Sequence, residues 1–391
     1  MGRMIIREYM PFLEEELKKG GKIIVLYGAR QVGKTTLVKE VLKKMDLRSL
    51  EVNADEQPYW EVLSSRDFSK LKALTQGYDL LFIDEAQRIP DIGLNLKILH
   101  DRMPELKILV TGSSSLDLAN RVKEPLTGRT WTYTLYPISI GEWQRYSGAN
   151  FFETGMELES FLRFGMYPEV FSMQDAARKE RYLREITGSY LYKDILALGN
   201  IKFPEKLLQL LKLLAFQIGG EVSIQELSSA LQIHREAVLN YLDLLEKAFV
   251  IFRLRGFSRN LRKEVTKMSK VYFYDLGIRN AIIGNFNDLA SRNDTGQLWE
   301  NFLMAERLKF NAYRPYYANS YFWRTYSGAE LDLVEEAGGR LSGFEFKWNA
   351  RKNSAPSSWL EAYPGSGYQC IHRGNFGEFL TDAFQTDAEK K

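Results

Sequence analysis

Short apolar runs alternating with amphipathic stretches mark the first third of this chain. Residues 5–19 place apolar side chains at helical spacing and stop at Gly20-Gly21, after which the run KIIVLY reads as a strand. A glycine-rich loop follows, then a helix predicted from Lys34 to about Met45 and a strand around Leu50–Val52. Three more strands are predicted: DLLFI over 79–83, KILVT over 107–111 and WTYTLY over 131–136. Strands that are continuously apolar, with helices between them, predict a parallel sheet covered on both faces. That α/β unit is expected over residues 1–150.

The pattern then changes. Residues 151–203 are helical and punctuated by Gly165 and Pro168, as in a small lid. Residues 204–275 suit a winged helix-turn-helix: KLLQLLKLLAFQIG, SIQELSSAL and HREAVLNYLDLLEKA as three helices, a turn at Gln232-Ile233, and the strands VIFRLRGF and KVYFYD. Val238, Leu242, Leu245 and Phe249 fall at helical spacing and are expected to face its core. Residues 276–391 alternate helix and strand signals again, with a hairpin signal at Gly338-Gly339.

Composition narrows the class. With 391 residues, 45% apolar and 13% aromatic, several packed units fit in the chain. One cysteine, Cys370, excludes an intrachain disulfide, and three scattered histidines give no zinc spacing. Without a secretory signal or a run long enough to span a membrane, a cytoplasmic protein with no membrane partner is expected.

The chemistry concentrates at Gly28-Ala29-Arg30-Gln31-Val32-Gly33-Lys34-Thr35, which reads G-x-x-x-x-G-K-T between a strand and a helix, with Thr36 after it. Glycines let the backbone turn its N–H groups onto an anion at a helix N-terminus; Lys34 would reach the β- and γ-phosphates and Thr35 would hold Mg²⁺. Asp84-Glu85 closes the strand LLFI at the carboxyl edge of the sheet. There Asp84 would hold the Mg²⁺ shell and Glu85 would activate the attacking water, although an acid at this place also serves as a helix N-cap. The predicted cofactors are ATP and Mg²⁺.

The segments IREYM, YGARQVGKTTL, SLEVNADEQ, LLFIDEAQRIP, ILVTGSSS, LTGRTWTYTLYPISIGEW and FGMYPEV together resemble a family of prokaryotic AAA-superfamily ATPases with a C-terminal domain of undefined function. The resemblance implies a P-loop NTPase (AAA+) sheet with a helical lid, and it extends along nearly the whole chain. By the same resemblance, Ser113 at the end of the fourth strand would touch the γ-phosphate or the water, the alternative being a serine-rich turn. Arg129 would be an arginine finger acting on a neighbouring subunit of a homo-oligomer, the alternative being a surface arginine.

Two further sites are read from the residues. In the winged helix, His234, Arg235 and Asn240 face outward near the start of a recognition helix. Between 253 and 270 stand Arg253, Arg255, Arg259, Arg262, Lys263, Lys267 and Lys270 against Glu264 alone. Such a stretch is a phosphate-binding footprint, so DNA is the expected partner, with a protein partner as the alternative that winged helices also allow. Nearer the C-terminus, Asp332 in AELDLV and Glu345 with Lys347 in GFEFKW share a hairpin face. With Glu300 from the helix GQLWENFLMAERL they resemble the PD-(D/E)xK nuclease motif. Asp332, Glu345 and Glu300 would then bind Mg²⁺ and Lys347 would activate water; an ordinary surface pair gives the same spacing. The expected function is a DNA-directed ATPase with a restriction-endonuclease-like domain. The alternatives are a nucleotide-switched regulator with a non-catalytic C-terminal domain and, with no aromatic pore loop in the sequence, a protein motor.

Overall fold

The computed structural model describes residues 4–113, 126–191, 195, 201, 203–258, 269–314, 316–350 and 354–380. The protein is α/β and divides into two compact units, the first built mainly from residues up to Ile138 and the second mainly from Ser139 onward.

The first unit holds a five-stranded sheet of β1 (Ile23–Tyr27), β2 (Ser49–Asn53), β3 (Leu80–Asp84), β4 (Lys107–Gly112) and β5 (Thr130–Thr134). Its order is β2-β3-β4-β1-β5, with every neighbouring pair parallel. The apolar runs explain the arrangement: Ile23, Val25, Leu81, Ile83, Ile108 and Val110 enter one core with Val52 and Leu96. Parallel strands all end at one edge, so the loops after β1 and β3 meet there. The first helix starts at Met10, later than the periodicity predicts, with proline in its first turn.

The second unit carries a mixed sheet of seven strands in the order β12-β11-β10-β9-β7-β8-β6. These are β6 (Glu221–Val222), β7 (Ile251–Gly256), β8 (Ser269–Phe273), β9 (Asn319–Arg324), β10 (Glu330–Ala337), β11 (Arg340–Phe346) and β12 (Gly367–Ile371). The strands expected for the winged helix (β7 and β8) and for the nuclease-like hairpin (β10 and β11) therefore share one sheet, joined where β7 runs parallel to β9 at Arg255–Tyr321 and Gly256–Phe322. The hairpin between β10 and β11 turns on Gly338 and Gly339, both at positive φ (54° and 76°), where glycine is at no disadvantage.

Helices cover this sheet. The Leu276–Ile283 helix packs against Phe151–Phe164, Ala176–Glu185 and Pro204–Phe216. Asn280 Nδ2 donates to the carbonyls of Leu162 and Arg163, each at 2.9 Å, and buried Arg279 donates to the Ala215 carbonyl at 2.8 Å. In the segment expected to form the helix-turn-helix, Gln232 takes a left-handed φ of 54° between Ile224–Leu231 and Arg235–Lys247. Val238, Leu242 and Leu245 are buried as their spacing predicts. Phe249 is not on that stripe, because the helix stops at Lys247 and Phe249 itself has φ 57°.

Candidate active site

The loop after β1 is held open by its own backbone geometry. Gly28 has φ 154°, and a Cβ there would lie 2.3 Å from the Leu135 carbonyl oxygen, so no side chain fits. Gly33, at φ 95°, caps the Lys34–Lys43 helix and turns the chain into it. Within the loop Gln31 is also left-handed (φ 63°), Val32 is buried, Arg30 is half-buried, and Gln31 and Thr36 are exposed. The Lys34 ammonium is buried and donates to the carbonyls of Gly28 and Ala29, each at 3.0 Å. A positive group thus points into the loop at the N-terminus of a helix, the geometry of an anion cradle.

The loop meets the end of β3. Thr35 Oγ1 donates to Asp84 Oδ2 at 2.7 Å, and the Thr111 hydroxyl of β4 donates to Asp84 Oδ1. The same Thr111 oxygen accepts from the Glu85 N–H at 3.2 Å, which fixes Glu85 in a left-handed conformation (φ 54°). Gln87 Nε2 donates to Glu85 Oε2 at 2.5 Å and to Ser113 Oγ at 3.1 Å. Gln87 Oε1 is buried and finds no partner among the described residues. Lys34, Thr35, Asp84, Glu85 and Ser113 are therefore brought into one crevice.

Three residues in or around this crevice escaped the sequence reading. Thr111 looks like a strand residue and Gln87 like a loop residue; only the adjacency of β3 and β4 reveals them. Arg7 is the third. Its guanidinium is buried and donates to the Val32 carbonyl at 2.6 Å and the Tyr136 carbonyl at 2.5 Å, bracing the loop from outside. Burial pushes the neighbouring Tyr136 hydroxyl up to about 12 and keeps it neutral.

Arg129 lies elsewhere. It precedes β5, and its carbonyl accepts from Ile23 N–H at 2.8 Å, at the opposite end of β1 from the Gly28 loop. Its side chain grips Asp101 with Nε at 2.7 Å and Nη2 at 3.1 Å, and this hydrogen bonding holds the Asp101 carboxyl below the usual range. The structure does not bring Arg129 to the phosphate loop of its own chain.

The acids of the second unit separate into two groups. Glu345 Oε2 accepts from the Tyr368 hydroxyl at 2.8 Å, and Glu345 Oε1 lies 2.8 Å from the Lys347 ammonium. Burial opposes the charge on Lys347, but the Glu345 hydrogen bond carries its pKa above the ordinary value. Asp332 and Glu300 instead share Lys270: its Nζ lies 3.1 Å from Glu300 Oε1 and 3.6 Å from Asp332 Oδ1. Tyr272 also donates to Glu300 Oε1, at 2.7 Å, and Phe346 N–H donates to Asp332 Oδ2 at 2.7 Å. Burial, with the Glu300 charge beside it, pushes the Asp332 carboxyl up to about 7 against the pull of Lys270. Among the described residues no three His, Cys, Asp or Glu side chains are grouped to hold a metal ion.

Lys270 is a correction to the basic stretch. It is buried among acids and is not available to a phosphate backbone. Arg253 likewise pairs with Glu246. His234, Arg235 and Asn240 are exposed at the start of the Arg235–Lys247 helix. Arg259, Arg262, Lys263 and Lys267 lie outside the described residues.

Residues 20–144 match the AAA domain family, 156–289 match a domain of unknown function (DUF8612), and 295–370 match a second one (DUF4143). An uncharacterized protein of Mycobacterium tuberculosis, Rv2008c, is 32% identical over 345 residues, covering 86% of this chain and 71% of its own length. An uncharacterized protein of Methanocaldococcus jannaschii, MJ1544, is 26% identical over 310 residues, covering 73% and 66%. Among solved structures, the Walker-type ATPase PABY2304 of Pyrococcus abyssi superposes with a TM-score of 0.49 at 17% identity, covering 72% of this chain and 98% of that one. No helix among the described residues is long and apolar enough to cross a membrane.

Proposed function

The chain belongs to the same family as the uncharacterized protein Rv2008c of Mycobacterium tuberculosis and carries an AAA domain over residues 20–144, and on that footing we propose that it hydrolyses ATP and signals its nucleotide state to bound DNA. The observation that carries the ATPase reading is the 2.7 Å bond from Thr35 to Asp84, which ties the phosphate loop to the acid at the end of β3. The residues fit a magnesium nucleotide. Lys34 points into the loop at the N-terminus of a helix, and Thr35 and Asp84 stand together at the end of β3, where a metal shell would form.

When bound, magnesium ATP supplies an electrophilic terminal phosphoryl group whose charge the metal shares. Lys34 and the loop N–H groups would hold the phosphates, and Thr35 with Asp84 would hold the metal shell. Glu85 Oε1, the oxygen that Gln87 does not engage, would accept a water proton, and Ser113 would help to fix the water.

The DNA reading rests on exposed His234, Arg235 and Asn240 at a recognition-helix start and on the basic residues after β7. Lys270 inside the acid cluster favours a C-terminal unit that holds its partner without cutting it, as a nucleotide-switched regulator would. ATP turnover stimulated by duplex DNA, and lost in Lys34→Ala, is the expected result; turnover indifferent to DNA contradicts the DNA reading. Plasmid incubated with Mg²⁺ or Mn²⁺ is expected to stay intact. Nicking that disappears in Asp332→Ala would establish a nuclease instead.

A further inference from the structure

The acids of the second unit resemble a metal site in sequence but do not fit one in space. A divalent cation such as Mg²⁺ needs several oxygen lone pairs at about 2.1 Å from one point. Glu345 is drawn away toward Lys347 and Tyr368, each within 2.8 Å. Asp332 Oδ2 is committed to the Phe346 N–H. Glu300 Oε1 and Asp332 Oδ1 both face the Lys270 ammonium, at 3.1 and 3.6 Å, and Glu300 Oε1 also accepts from the Tyr272 hydroxyl. An ammonium in that place and a metal bound to the same oxygens exclude each other by charge and by volume.

The arrangement is enclosed. The side chains of Lys270, Glu300 and Asp332 are 7%, 16% and 7% exposed. Gly219 brings bare backbone over the cluster: its φ is 74°, and a Cβ there would sit 3.3 Å from Glu300 Oε1. Tyr272, two residues along β8 and so on the same face as Lys270, donates a second hydrogen bond to that oxygen.

We infer that Lys270 is the resident cation of this cluster, standing where a divalent metal would have to bind, so that the Glu300–Asp332 pair is metal-excluding in the native chain. The inference goes beyond the ATPase reading and is independent of it. Removing the ammonium should leave the two buried acid side chains facing the volume it vacates. That is a cation site, and a divalent ion should fill it.

Mn²⁺ binding by electron paramagnetic resonance, on the full chain without nucleotide, tests this. Wild type, Lys270→Ala and the double variant Lys270→Ala/Asp332→Asn are compared. The expected result is one added Mn²⁺ site in Lys270→Ala, roughly tenfold or more tighter than any wild-type site that Asp332 controls, and lost in the double variant. The melting temperature of Lys270→Ala should fall in EDTA and recover in Mn²⁺. If the single variant folds poorly, refolding it in Mn²⁺ should rescue it, and failure of that rescue contradicts the inference. The wild-type arm stands alone: Mn²⁺ bound to the native chain and released by Glu300→Gln would overturn it outright.

Discussion

Gln87 holds Glu85: its side-chain amide donates to Glu85 Oε2 at 2.5 Å while the same nitrogen reaches Ser113 Oγ at 3.1 Å. One amide thus orients the acid after β3 and the serine after β4. Gln87→Ala is expected to leave nucleotide affinity nearly unchanged and to lower kcat by roughly tenfold to a hundredfold, because a misoriented base loses alignment and not charge. Steady-state kinetics check this; a raised KM with unchanged kcat would assign Gln87 to binding.

Gly28 faces the Leu135 carbonyl with no space for a methyl group. Gly28→Ala must push β1 and the segment after β5 apart. A loss of about 3 kcal/mol is expected, with loss of nucleotide binding, since backbone has few ways to yield. Urea unfolding with and without nucleotide measures both; a stable variant that still binds would contradict the contact.

The first unit was largely legible in sequence because its signals are local. Five apolar runs, a glycine loop and an acid pair each announce themselves within a few residues, and parallel topology gathers them at one edge. What was hidden depends on partners distant in sequence. Thr111 and Gln87 become meaningful only when β3 and β4 lie side by side, and Arg7 only when its segment crosses the loop. Lys270 reads as one more positive charge in a basic run. Only the placement of β8 in the seven-stranded sheet, with the Thr295–Ala312 helix against it, sets it between Glu300 and Asp332. Phe249 shows the converse failure: the periodicity continues past Lys247, but the helix does not.

Asp332 makes stability depend on pH. With its carboxyl pushed up to about 7 in the folded chain, folding retains a proton that unfolding releases. Its contribution is therefore fully present below the ordinary carboxylate range and is lost as pH rises through about 7. Urea midpoints of wild type should decline between about pH 4 and about pH 7, and the decline should be shallower in Asp332→Asn. Parallel profiles for the two proteins would contradict this assignment.

Arg235 is exposed at the start of its helix. If it meets a phosphate, Arg235→Ala should weaken DNA binding about equally across sequences and reduce the slope of log K against log salt by about 1. Fluorescence anisotropy at several salt concentrations gives the slope. An unchanged slope would remove Arg235 from the interface.

The most direct test of the ATPase itself is ATP turnover in wild type and Glu85→Gln, with nucleotide binding measured on the same preparations. The account predicts Mg²⁺-dependent hydrolysis by wild type. In Glu85→Gln, binding should be retained and turnover should fall by about 10²–10⁴-fold, as expected when a positioned base is removed. Wild type that binds no ATP, or a variant that hydrolyses it as fast as wild type, would contradict the account.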